Sequence, residues 1–172
     1  MEDIVTTMVA QKREQIAAEQ RINAPEQMQE QALSYVASYK LQSAEGHYQP
    51  LHSLRQALAQ STTGLIAEFK RRSPSKGWIK QDADASVITP GYELAGASAL
   101  SILTDETFFG GRLDDLCTAR RLTKLPLLRK EFIIDPYQVE QSALAGADAI
   151  LLIAACLTPS EAERLSAYAH RL

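Results

Sequence analysis

The chain has 172 residues, 45% of them hydrophobic and 23% charged, an ordinary globular balance that suffices for a sizeable buried core. A formal net charge of −3 and an isoelectric point near 5.6 argue against a general nucleic-acid or membrane-surface binder. Cys117 and Cys156 stand far apart, which excludes a disulfide framework or a zinc-ligand spacing and fits a reducing cytoplasm.

The N-terminus, "MEDIVTTMVAQKREQ", has no basic region followed by an apolar run, and no stretch reaches the ~18 to 20 apolar residues of a membrane span. Residues 1 to 63 are rich in Gln, Glu and Ala, with Ile4, Val5, Met8, Val9 and Ile16 at helical spacing. Pro25 ends this helix or restarts it. A second helix is expected in "PEQMQEQALSYVASYKLQ" and a short third one in "LHSLRQALAQ". From Gly64 the period changes. Short apolar strands over 65–69, 99–103, 126–129 and 149–153 alternate with helical stretches, the last opened by Thr158 or Ser160 and Pro159. This βαβαβαβα order implies parallel pairing, because parallel neighbours need a connection of about a dozen residues or more. Pro90-Gly91 interrupts the first crossover, where the proline predicts a kink or a restart after Thr89.

Polar residues follow three of the strands: Glu68 and Lys70, then Thr104-Asp105-Glu106, then Lys130-Glu131. In parallel α/β proteins these C-terminal strand ends carry the chemistry. The basic run "FKRRSPSKG" alone suits a solvated loop equally well. At period 2, however, Glu68 and Lys70 share one face of their strand, the interior face if the sheet closes. A snorkelling strand-end lysine is the plain alternative for Lys130. Two lysines at two strand tips point instead to a site for an anionic substrate. His47, His52 and His170 read as structural or solvated.

Four stretches, "IAEFKRRSPSKG", "ALSILTDETFFGG", "LPLLRKEFIIDPYQV" and "GADAILLIAACL", stand in the order and spacing of the indole-3-glycerol phosphate synthases. The chain resembles that family from about Gly64 to Leu172, and more loosely upstream. The resemblance implies an α/β fold of the TIM (βα)8-barrel family, represented by about its first four βα units. Residues 1–63 would be a helical N-terminal extension, and 64–172 the first half of the barrel, truncated after the fourth helix. It also implies a cytoplasmic lyase of tryptophan biosynthesis, a carboxy-lyase that closes the ring of an anilino-deoxyribulose phosphate with loss of carbon dioxide and water. No cofactor or metal is expected, and the partner is a small anionic phosphosugar rather than a nucleic acid or a membrane.

Carried over residue by residue, Lys130 matches the family's general acid, Lys70 the lysine that contacts the substrate's anionic groups, and Glu68 the first-strand glutamate. Ser73 matches a loop serine that holds substrate, and Phe109 and Phe132 fall at apolar contacts to its ring. The family's fifth-strand glutamate, sixth-strand asparagine and phosphate-cradling glycines have no counterpart, so weak or absent activity is expected of this chain alone. Self-association, or pairing with a separate C-terminal half, follows from Ile66, Ile102, Leu128 and Leu151 or Leu152 all facing an open interior. The alternative is a non-catalytic half-barrel subunit.

Overall fold

The computed structural model describes residues 4–44 and 52–172. They form two compact units, one combining the N-terminal helices with 132–144 and 150–172, the other holding 52–131 and 145–149.

A parallel sheet, which lies in the second unit but for the last residue of its final strand, has the strand order β1 (Ile66–Phe69), β4 (Ala99–Leu103), β5 (Leu127–Lys130) and β6 (Ala149–Ile150). Between β1 and β4 a short hairpin of two-residue strands, β2 (Arg72–Ser73) with β3 (Gly77–Trp78), turns on Pro74 and Ser75, and the Lys76 N–H closes the turn on the Ser73 carbonyl at 3.3 Å. The sequence suggests only a loop here. The signal was Pro at the second turn position with Gly just beyond, where Gly77 takes φ +65°.

The register decides which side chains share a face. Ile66, Glu68 and Phe69 pair with Ala99, Ser101 and Ile102, and Ser101 and Leu103 pair with Leu128 and Lys130. One face therefore carries Ile66, Glu68, Ser101, Leu103, Leu128 and Lys130. The other carries Phe69, Leu100, Ile102 and Leu127, which pack with Leu116 and Ala119 into the core of this unit. Each such large apolar side chain removed from water contributes about 1.5 to 3 kcal/mol. Ile102 thus faces the helices, not the open side expected for it. Period 2 fixes alternation within a strand but not the offset between strands.

Helices α4 (Ala85–Leu94) and α6 (Leu113–Leu122) cover the core face. Asp84 caps α4 by accepting the Ser86 N–H at 2.8 Å. Pro90 neither ends α4 nor restarts it; one helix runs through, and in the adjacent turn the Thr89 hydroxyl donates to the Ala85 carbonyl at 2.7 Å. Helix α3 (Leu54–Gln60) is anchored at its start by His52, whose N–H donates to Asp148 at 3.0 Å. The buried Asp148 also accepts from Arg120 and from the Leu127 N–H, both at 2.8 Å. Burial lowers the His52 pKa, against the opposing pull of Asp148. His47 lies outside the described residues.

The first unit contains α1 (Ile4–Ile22), α2 (Pro25–Ala44), α7 (Pro136–Leu144) and α8 (Pro159–Arg171). Ile16 and Met28 pack around Tyr137, and Ile133 and Val139 pack against Leu165 and Tyr168. Asp135 caps α7 by accepting the Tyr137 N–H at 2.9 Å. Thr158 and Glu161 form a reciprocal capping box at the start of α8, with Pro159 in its first turn. Leu152 joins the Ile133 cluster of this unit. No described helix is long and apolar enough to cross a membrane.

Candidate active site

Glu68 is the centre of the arrangement. Its carboxylate accepts from Lys70 Nζ through Oε1 at 2.8 Å and from Lys130 Nζ through Oε2 at 2.9 Å. Lys70 lies two residues on, just past the end of β1, whereas Lys130 reaches Glu68 from the tip of β5 across the intervening β4, whose Ser101 is the register partner of Glu68. The Ser101 hydroxyl donates to Oε2 at 3.5 Å. The side chains of Glu68, Lys70 and Lys130 keep 30%, 29% and 36% of their surface exposed, enough for a ligand to reach all three. Partial burial pushes the Glu68 carboxyl up, but the hydrogen bonds and charges of both lysines outweigh that and hold it below the usual glutamate value. Two ammonium groups on one carboxylate leave the cluster net positive, which suits an anionic ligand.

The loop after β1 is tied down by Arg71. Its guanidinium donates to the Ala83 carbonyl at 2.8 Å and to the Gly110 carbonyl at 3.1 Å, and grips Asp115 with both nitrogens at 2.5 and 2.8 Å. Beyond it, Ser73 lies half-buried in β2, and its hydroxyl accepts the Lys76 N–H at 3.2 Å. Arg72 stacks over the Trp78 ring at 5.6 Å and donates to the Thr107 carbonyl at 3.2 Å. This fastens the hairpin to α5 (Glu106–Phe109), the short helix that carries the half-buried Phe109. Asp105 caps α5, accepting the Phe108 N–H at 2.7 Å, and Gly110 closes it at φ +63°. The next residue must also be glycine, since a Cβ on Gly111 would strike the Leu103 carbonyl at the tip of β4.

Glu68, Lys70 and Lys130 are therefore gathered in one cluster, and Ser73 and Phe109 lie on two elements in mutual contact. Phe132 falls in the other unit, where it is buried and its carbonyl accepts from Gln138 at 2.8 Å. Ser101, Arg71 and Asp115 were not singled out from the sequence. Only the β1–β4 register could have pointed to Ser101, and only the fold brings Asp115 to Arg71, 44 positions away. Among the described residues no group of three or more His, Cys, Asp or Glu side chains is placed to hold a metal ion.

A family model described as indole-3-glycerol phosphate synthase matches residues 6–172. The chain belongs to the indole-3-glycerol phosphate synthase family. Proteins of that name resemble it along most or all of its length. The one from Bacteroides thetaiotaomicron is 49% identical over 172 residues, covering 100% of this chain and 61% of the relative. That from Desulfosudis oleivorans is 46% identical over 158 residues, covering 92% and 57%. That from Azoarcus sp. is 40% identical over 177 aligned positions, covering 100% and 62%. The chain thus spans about three fifths of the length of these indole-3-glycerol phosphate synthases. Its parallel α/β sheet is consistent with the TIM-barrel architecture of the family.

Proposed function

We propose that this chain supplies the acid and the anion-contacting lysine of an indole-3-glycerol phosphate synthase, acting on carboxyphenylamino-deoxyribulose phosphate. The observation that carries the reading is the Glu68 carboxylate bridging Lys70 and Lys130 at 2.8 and 2.9 Å. In the reaction, the ring carbon bearing the carboxylate attacks the ketone carbon. As that bond forms, the carbonyl oxygen takes a proton, and Lys130 at the tip of β5 is the group suited to deliver it. Cleavage of the bond to the carboxylate then returns an electron pair to the ring and releases carbon dioxide. The new hydroxyl departs with a proton as water, and loss of a proton from the adjacent CH2 carbon, with the N–H retained, completes the indole.

Lys70 contacts the substrate's anionic groups, and Glu68 orients both ammonium ions through its two oxygens. Ser73 and Phe109, on the hairpin and α5, contribute a polar and an apolar contact to the substrate. The sheet is the beginning of a barrel wall. In support of this, its parallel strands follow one another in chain order, β1-β4-β5-β6, with no reversal of the kind that marks an open doubly wound sheet.

The test replaces the matched segment of the Bacteroides thetaiotaomicron enzyme with this chain and follows indole-3-glycerol phosphate formation by fluorescence. Turnover by the folded chimera is expected. A folded chimera that binds no substrate and forms no product would overturn the reading.

A further inference from the structure

We propose that Thr104 is a positioning residue for Lys130, acting through the two side chains that flank that lysine in sequence. The proposal rests on the role assigned above to Lys130. Thr104 is the first residue past β4, beside the last residue of β5. Its N–H donates to the Lys130 carbonyl at 3.2 Å. Its hydroxyl accepts from Arg129 Nε at 3.0 Å and donates to Glu131 Oε2 at 2.8 Å. One residue of β4's tip thus grips three consecutive residues of β5's tip. The contacts are dry, with Thr104, Arg129 and Glu131 only 6%, 4% and 4% exposed.

Stability alone does not account for such a group. Taking a guanidinium and a carboxylate out of water costs several kcal/mol per ion, and apolar residues of similar volume often do as well or better. Arg129 Nη2 and Glu131 Oε2 stand 3.9 Å apart, so the threonine hydroxyl completes the link between them. What the buried network supplies is geometry. Lysine ends a flexible four-carbon stem, and its ammonium can be placed only if the backbone at its root is fixed. With 129, 130 and 131 all held, the Lys130 stem leaves the strand at one angle and its Nζ meets Glu68.

The Glu68 carboxyl reports where the Lys130 ammonium sits, with no substrate present, since Lys70, Lys130 and Ser101 are the polar groups on it. Carboxyl-labelled glutamate is titrated by NMR in the 172-residue chain, with Lys130→Met as the reference for a lost ammonium. Thr104→Val removes both hydroxyl bonds at nearly constant shape. It is expected to show most of the upward shift in the Glu68 midpoint that Lys130→Met shows, with the distant His52 midpoint unchanged. Thr104→Ser restores the wild-type midpoint. If Thr104→Val does not give a native spectrum, Arg129→Lys, which keeps the charge but lacks the Nε–H, is read on the same scale and shifts in the same direction. A folded Val or Lys variant with the wild-type Glu68 midpoint overturns the proposal. In the chimera, Thr104→Val lowers kcat on the order of 10²-fold with KM unchanged; a normal kcat also overturns it. An inactive parent chimera combined with the Glu68 shift would sink the catalytic reading and leave the clamp standing.

Discussion

At the scale of single residues, the cluster makes acid stability depend on Glu68. Its folded-state pKa lies below the ordinary value because the hydrogen bonds and charges of Lys70 and Lys130 outweigh partial burial. A depressed carboxyl contributes stability that is present above the unfolded pKa and lost as pH falls through the folded one. Glu68→Gln, which leaves two ammonium groups without their carboxylate, should therefore be less stable than wild type near neutrality. The gap should close on acidification below about pH 4. Urea unfolding across that range checks it, and a gap independent of pH would contradict the ion-pair account. Glu68, Lys70 and Lys130 were legible because strand tips can be read from apolar runs followed by polar residues. Ser101 and Asp115 were not, because each acts through a partner on another element.

At the scale of elements, local signals were read well where the chemistry is local. Pro25 begins α2 and Thr158 caps α8. The errors arose where a neighbour decides: Ile102 faces the helices because β4 pairs with β1 in a register that no single strand encodes. The packing of α7 against α8 creates a second pH dependence, opposite in sign to that of Glu68. Glu140 is buried there, and burial pushes its carboxyl up despite the Tyr168 hydroxyl donating to it at 2.6 Å. A raised carboxyl contributes stability that is present below the unfolded pKa and lost as pH rises through the folded one. Glu140→Gln keeps an acceptor for Tyr168 without the charge. It should raise the urea midpoint at neutral pH and leave it unchanged in acid. A variant less stable than wild type at neutral pH would show that the charge itself is favoured.

At the scale of the whole molecule, the strand count matters. β1 and β6 end the four-stranded sheet, and Ile66 on β1 is 38% exposed. Unpaired strand edges and uncovered apolar side chains promote association, so the unfolding midpoint of the isolated 172-residue chain should rise with protein concentration. Light scattering should show species larger than a monomer. A monomeric, concentration-independent transition would mean that the edges are already covered. In the proposed reaction Lys130, held by Glu68, delivers the proton in ring closure. Steady-state turnover of the Bacteroides chimera with Lys130→Ala tests it most directly. A fall in kcat on the order of 10²- to 10⁴-fold is expected, while Lys70→Ala lowers kcat and raises KM together. Normal turnover by Lys130→Ala would contradict it.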